Sequence, residues 1–258
     1  YILIMDINSK LRQLYYFMEI QDCLQECSSK IIEIYNEFDQ SITYKADNSP
    51  LTKADIVSHE LIEKRLSSIS SFPIISEESD NFYTKESKYW LVDPLDGTKE
   101  FISKNGEFTI NIALIENRYP ILGYVYSPIK KTLYVGGLNK GAFKIIDSNI
   151  EELFVSSSQD PIRIVASRNH LNEETKKYIS QFKNFTLLQA GSSIKLCMIA
   201  EGSADIYPRL APTSEWDTAA AQAIVEGAGG SVQDLKNNRF IYQKDNILNP
   251  HFIVRGMN

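Results

Sequence analysis

Residues 90 to 115, WLVDPLDGTKEFISKNGEFTINIALI, run an apolar strand into two aspartates three positions apart, Asp93 and Asp96, and then resume as a second apolar run. A segment this rich in Trp, Leu, Val and Ile must be buried, so the acids at its end sit next to a core. Pro94 pushes Asp93 toward an extended conformation. Gly97 permits backbone angles that other residues resist, and both carboxylates can then turn toward one point. Two carboxylates that close repel, and one takes a proton unless a cation lies between them. An oxygen-only cluster suits a hard cation such as Mg²⁺. Gly97, Thr98 and Lys99 would present backbone N–H groups at the start of the following segment, a ready seat for phosphate. Asp, Pro and Gly are also ordinary turn residues, and these residues alone leave a plain turn and a metal site both open.

Two further acidic places stand at the ends of predicted elements. Glu77-Glu78 directly follows an apolar strand ending at Ile75, as Asp93 follows its own, although adjacent glutamates are commonly just solvated surface. Glu215-Trp216-Asp217 opens an alanine-rich helix, where Asp217 has the position of a helix cap and the tryptophan beside it implies partial desolvation.

The wider pattern is that of a layered α/β protein. Apolar residues recur at helical spacing over 8–38, with a break expected near residue 20. Residues 45–50 read as a loop, and Thr52 caps a second helix through about Ser67. Short strands are predicted at 72–75 and 89–92, and an antiparallel meander over 109–115, 123–127, 133–136 and 141–146. A polar stretch over 147–160 suggests a boundary between an N-terminal α+β half, 1–150, and a C-terminal α/β half, 151–258. The second half alternates strand and helix: 162–166, 173–181, 185–188, 194–201, 204–207 and 217–227, then a final strand pair after Gly229-Gly230.

Composition narrows function mostly by exclusion. The 258 residues carry 27 Lys+Arg against 33 Asp+Glu, a net charge of −6. This is a poor balance for binding a nucleic-acid polymer, which needs a basic face, yet compatible with a small anionic ligand if a metal supplies positive charge. Cys23, Cys27 and Cys197 form no disulfide framework and are expected to be reduced thiols. No apolar run reaches the roughly 18 residues of a spanning helix. The N-terminal YILIM lacks the basic start and cleavage site of a signal peptide. The expected location is the cytoplasm, with a peripheral contact on the inner face of the cell membrane left open, as are monomer and homodimer.

Glu77-Glu78, then Asp93-Pro94-Leu95-Asp96-Gly97-Thr98, then Trp216-Asp217 followed by alanines, resemble in that order the signature of the inositol monophosphatase superfamily of Mg²⁺-dependent, lithium-sensitive phosphatases. Further stretches are similar to its CysQ-type 3′(2′),5′-bisphosphate nucleotidase branch. They are Lys45 to Thr52, Trp90 to Ile102, Asn105 to Ile115, Gly191-Ser192-Ser193 with Lys195, and Tyr207-Pro208-Arg209. The resemblance spans roughly residues 20 to 255. It implies a layered αβαβα sandwich with the metals in a cleft between the halves.

The same resemblance assigns roles. Glu77, Asp93 and the carbonyl of Leu95 would hold one Mg²⁺, and Asp93, Asp96 and Asp217 a second, with a third, looser ion near the glutamate. Thr98 and Asp55 would orient the attacking water. Gly97, Thr98 and Asp217 would face the substrate. Ser192, Lys195, Arg209 and His170 would surround a nucleotide, with Lys195 and Arg209 on its non-scissile 5′-phosphate and Lys45 as a further phosphate contact. The implied reaction is hydrolysis of 3′-phosphoadenosine 5′-phosphate (PAP) to AMP and phosphate, in sulfur assimilation, with 3′-phosphoadenylyl sulfate (PAPS) as a second substrate and inhibition by Li⁺ and Ca²⁺. An inositol monophosphatase is the alternative, though Lys99-Glu100-Phe101 stands where Thr-Asn-Phe is usual, and Arg209 adds a cation. Fructose bisphosphatase is a weaker rival. A catalytically silent, metal-dependent nucleotide sensor is the rival from another class, against which the full set of acids and Thr98 argues.

Overall fold

The computed structural model describes residues 7–12, 14, 16–37, 42–45, 50–79, 83–157, 160–168 and 171–257. Two helices, α1 (Ile7–Arg12) and α2 (Phe17–Asn36), open the chain. The helical break therefore lies before Phe17, not near residue 20: Tyr16 takes left-handed angles (φ 61°) that end one helix before the next begins, and Ile20 is buried inside α2. A two-stranded hairpin, β1 (Ile42–Tyr44) with β2 (Pro50–Thr52), leads into α3 (Lys53–Ile69). That helix begins where Thr52 predicted it would. The Ala54 N–H donates to Thr52 Oγ1 at 3.2 Å and the Thr52 N–H donates to Asp55 Oδ2 at 2.8 Å, the reciprocal arrangement of a capping box.

Next come β3 (Ile74–Ser76), β4 (Lys88–Asp96), the single-turn α4 (Thr98–Ile102), β5 (Thr109–Glu116), β6 (Tyr119–Ser127), β7 (Thr132–Gly137), β8 (Gly141–Ile146) and β9 (Asn149–Glu152). The strands form one seven-stranded sheet in sequence order, antiparallel throughout except for the β3–β4 pair. The rest of the chain gives β10 (Ile162–Ser167), α5 (Glu173–Ile179), β11 (Phe185–Ala190), α6 (Ile194–Ala200), β12 (Ile206–Arg209), α7 (Trp216–Gly227), β13 (Ser231–Asp234) and β14 (Phe252–Arg255). These strands make a second sheet in the order β11-β10-β12-β14-β13.

Strand alternation sorts the core into layers. Along β4, Trp90 and Val92 face a cluster with Ile20, Leu24 and Ile31 of α2 and Leu66 of α3. Tyr89 and Leu91 face the opposite cluster with Ala219, Ala220 and Ile224 of α7. Because α7 lies between the two sheets it is apolar nearly all round, and its alanines let it approach closely. A Cβ on Gly123 of β6 would stand 2.0 Å from the carbonyl oxygen of Ala220, so no other residue fits there. On the outer face of the second sheet, α5 buries Ile179 against Ile164 and Ala166. The layers are thus helices, sheet, helices, sheet, helix, the expected αβαβα sandwich.

Asp205 anchors the second sheet. Its side chain is 2% exposed and accepts from Ser156 Oγ at 2.6 Å, the Arg163 N–H at 2.7 Å and Arg163 Nη2 at 2.7 Å. Burial alone would raise its carboxyl, but the donors from Arg163 and Ser156 hold it below the ordinary aspartate value. Stability from a lowered carboxyl is present above its unfolded pKa and lost as pH falls through the folded one. Asp205→Asn is therefore expected to cost about 2 kcal/mol near neutral pH, with the gap to wild type closing below about pH 4, as read by denaturant melts.

Candidate active site

The two aspartates do not follow the end of their strand; β4 continues through them, and a fault in its register brings them together. Asp93 pairs with Asn111 of β5, and Asp96 pairs with Thr109. Three steps on β4 thus oppose two on β5, a β-bulge at Pro94 and Leu95. In a regular strand, residues three apart point to opposite faces. The extra residue restores the parity and turns both acids to one side. A bulge is also where a strand tolerates proline, which lacks a donor for the ladder. Gly97 follows with φ 93°, and a side chain there would press on the carbonyl oxygen of Glu107 at 3.2 Å.

One cleft of about 220 Å³ gathers most of the residues singled out in the sequence. Glu77, Asp93, Leu95, Asp96, Gly97, Thr98, Ser192, Lys195, Arg209 and Asp217 all line it. Asp55 sits just behind, buried, with Oδ1 accepting from Thr98 Oγ1 at 3.1 Å and Oδ2 taken up by the helix cap. His170 lies outside the described residues. Lys45, expected against phosphate, instead sets its ammonium on Glu77 Oε1 (2.7 Å) and Glu78 Oε1 (2.6 Å) and does not line the cleft. Residues to which the sequence reading gave no role also line it, among them Ser167, Tyr207, Thr213 and Phe252.

The electrostatics are those of crowded like charges. Burial, and then repulsion by Glu77, Asp96 and Asp217, holds the Asp93 carboxyl well above the usual range. Asp217 is raised by burial and by Asp96 and Glu77, against the Ser214 N–H and Arg209 that oppose the shift. Glu77 is raised by burial, with Lys45 pulling it back. In the same cleft, Lys195 is pushed down to about 8 by burial, and by Arg209 against the opposing pull of Asp96. Its Nζ donates to the Ser192 carbonyl oxygen at 2.5 Å and lies 5.6 Å from the ring centre of Tyr207. Arg209 is braced by the carbonyl oxygens of Ala211 (3.2 Å) and Pro212 (2.8 Å).

These acids fit a hard divalent cation. Each has one oxygen tied by a protein donor: Asp93 Oδ1 by the Leu95 N–H (3.1 Å), Asp96 Oδ2 by the Ser193 N–H (2.6 Å), Asp217 Oδ2 by the Ser214 N–H (2.8 Å) and Glu77 Oε1 by Lys45. Each keeps a second oxygen that takes no hydrogen bond among the described residues, an acceptor set suited to an oxygen-seeking ion. As the side chains stand, no three His, Cys, Asp or Glu among the described residues converge tightly enough to enclose one. Glu77 leans on Lys45, and Asp96 on Ser193.

The chain matches the model of the Inositol monophosphatase family over residues 15–255. It is 42% identical over 218 residues to the 3′(2′),5′-bisphosphate nucleotidase CysQ of Escherichia coli (strain K12), covering 83% of this chain and 88% of the relative. The crystal structure of CysQ from Bacteroides thetaiotaomicron superposes with a TM-score of 0.84 at 42% identity, over 93% of this chain and 97% of that one. An IMPase/NADP phosphatase solved with Mg²⁺ and phosphate has the same fold, with a TM-score of 0.77 at 20% identity over 92% of this chain and 88% of that one.

Crowded acids destabilise the fold that holds them. A carboxyl raised in the folded state contributes stability below its unfolded pKa and loses it as pH rises. In chelator, Asp93→Asn is therefore expected to raise unfolding stability by about 1–2 kcal/mol, the gain growing as pH rises above the ordinary aspartate range. Saturating Mg²⁺ is expected to erase or reverse it. Urea melts with and without the cation check both signs.

Proposed function

Because the chain belongs to the inositol monophosphatase family, we propose that it is a metal-dependent 3′(2′),5′-bisphosphate nucleotidase that hydrolyses PAP to AMP and phosphate. The observation that carries this reading is the cleft itself: four acids, drawn from the end of one sheet and the start of α7, line one space of about 220 Å³ together with two cations, Lys195 and Arg209. Glu77, Asp93 and the Leu95 carbonyl would hold one Mg²⁺, and Asp93, Asp96 and Asp217 a second. When bound, such ions stabilise the charge that builds on the oxygens of an in-line phosphoryl displacement.

The side chains do the positioning. Thr98 Oγ donates its proton to Asp55, which leaves its lone pairs to accept from water and so to aim a water oxygen into the cleft. Asp55 is held on its other oxygen by the cap of α3, so the pair is rigid before substrate arrives. The first N–H groups of α4, at Gly97 and Thr98, have no partner within their own helix and suit the oxygens of the phosphate to be cleaved. Lys195 and Arg209 suit the phosphate that stays, which is the group a bisphosphate has and inositol monophosphate lacks. Lys195 is cationic below about pH 8, so binding that depends on it weakens as pH rises past that value. Li⁺ and Ca²⁺ would inhibit by displacing Mg²⁺ with an ion of the wrong charge or coordination.

A phosphate-release assay with Mg²⁺ separates the readings. PAP is expected to be hydrolysed with kcat/KM at least about 100-fold above that for inositol 1-phosphate, and Asp96→Asn to lose about 1000-fold or more. The reverse preference would return the chain to the inositol monophosphatase reading. Phosphate release no faster than Asp96→Asn would favour a silent sensor. Arg209→Met is expected to raise KM for PAP about tenfold, while hydrolysis of adenosine 3′-phosphate, which lacks the second phosphate, stays within about twofold.

A further inference from the structure

We infer that Ser193 is a positioning residue that sets the span between Asp96 and Asp217, an inference that rests on the metal-dependent reading above. Ser193 occupies the N-cap position of α6, where a serine ordinarily turns its hydroxyl onto its own helix. It makes no such cap bond. Instead its Oγ lies 2.7 Å from Asp96 Oδ2 and 2.9 Å from the carbonyl oxygen of Asp217, while its N–H donates to the same Asp96 oxygen at 2.6 Å. Ser193 is 1% exposed and does not line the cleft, so it acts on anything bound there only through the two acids.

The direction of its single proton is constrained. Asn111 Nδ2 donates to Ser193 Oγ at 2.8 Å, which occupies a lone pair and drives the hydroxyl proton toward one of the two acceptors. Those acceptors belong to residues 121 positions apart, one at the end of β4 and one at the start of α7. Asn111 also reaches Asp96 Oδ2 at 3.3 Å, so that oxygen is pinned from the β5 side as well. The pinned oxygen is Oδ2, which leaves Oδ1 with no hydrogen bond among the described residues. Carboxylates that hold metals are commonly oriented by such outer donors, and loss of one typically costs 10–100-fold in metal affinity.

The serine cannot shift to serve otherwise. The Gly191 N–H two residues earlier donates to Glu107 Oε2 at 2.9 Å. A Cβ on Gly191 would fall 2.8 Å from Glu100 Cγ, so the loop sits flush against the first half of the chain. Ser192 between them adopts φ 46°, in the left-handed region. The backbone of 191–193 is thus fixed on both sides, and the hydroxyl is delivered to one place.

The test is a calorimetric titration of Mg²⁺ into metal-stripped full-length protein, wild type beside Ser193→Ala, Ser193→Thr and Asn111→Ala, with thermal melts in chelator to report folding. Wild type is expected to bind at least two Mg²⁺. Ser193→Ala is expected to weaken one of them about tenfold while the other, held by Glu77 and Leu95, stays within about twofold. Ser193→Thr, which keeps the hydroxyl, is expected to restore the weakened site to within about threefold. The Mg²⁺ concentration for half-maximal phosphate release should rise by the same factor in Ser193→Ala, with kcat at saturating Mg²⁺ changing less. Asn111→Ala is expected to act in the same direction by about threefold, and serves should Ser193→Ala fail to fold. An isotherm for Ser193→Ala that matches wild type, or equal weakening of both sites together with a lowered melting temperature, would overturn the inference. A wild type that takes up no Mg²⁺ at all would instead overturn the metal-dependent reading beneath it.

Discussion

Repulsion among buried carboxylates is the constraint around which this molecule is built. Asp93 is 1% exposed, and its charge is opposed by burial and by Glu77, Asp96 and Asp217. Such a group is stable in the charged form only beside positive charge. The fold does not relieve the conflict from within. Lys45 serves the glutamate pair, and Lys195 and Arg209 line the cleft but donate to backbone carbonyl oxygens. What the fold supplies is rigidity: a bulged strand, a helix sealed between two sheets, and a donor fixed on one oxygen of each acid. The conflict is thereby preserved in a set geometry, ready for a cation and the phosphate it brings.

That rigidity depends on layers far from the cleft. Asp217 stands in the first turn of α7, whose alanines press against β6 so closely that position 123 admits only glycine. Asp93 and Asp96 lie within the last four residues of β4, which is buried on both faces. Ser193 links the Asp96 carboxylate to the backbone carbonyl of Asp217, and the elements themselves are joined through the apolar layer between the sheets. Asp55, the remaining acid, does double service. One oxygen caps α3 and the other takes the proton of Thr98, so the start of a helix and the orientation of a water molecule depend on the same side chain.

Much of this was legible in the amino-acid order. The unbroken apolar run Tyr89, Trp90, Leu91 and Val92 announces a strand buried on both faces, and Thr52 with Asp55 announces a helix start. The motifs around Asp93, Asp96 and Trp216-Asp217, with Glu77-Glu78 and the stretches carrying Ser192, Lys195 and Arg209, were enough to bring ten cleft residues into view. What escaped was whatever depends on a distant partner. That Asp93 and Asp96 share a face follows from the bulge opposite Thr109 and Asn111, which no local signal encodes. Lys45 reads as a free cation until the hairpin that carries it meets Glu77 and Glu78. Ser193 is only a member of a motif in the sequence, and its role shows when its hydroxyl is seen turned away from its own helix. The break before Phe17 was misplaced because the apolar spacing runs through it unchanged, and only the left-handed Tyr16 reveals it.

Whether divalent ions gather at these acids is the question on which the account turns. Diffraction from crystals grown with Mn²⁺, a stand-in for Mg²⁺ with the same preference for oxygen and stronger anomalous scattering at accessible wavelengths, would answer it. The expected result is one peak shared by Asp93, Asp96 and Asp217 and a second beside Glu77, Asp93 and the Leu95 carbonyl. Anomalous density absent from the cleft at millimolar Mn²⁺, or confined to surface acids, would contradict it.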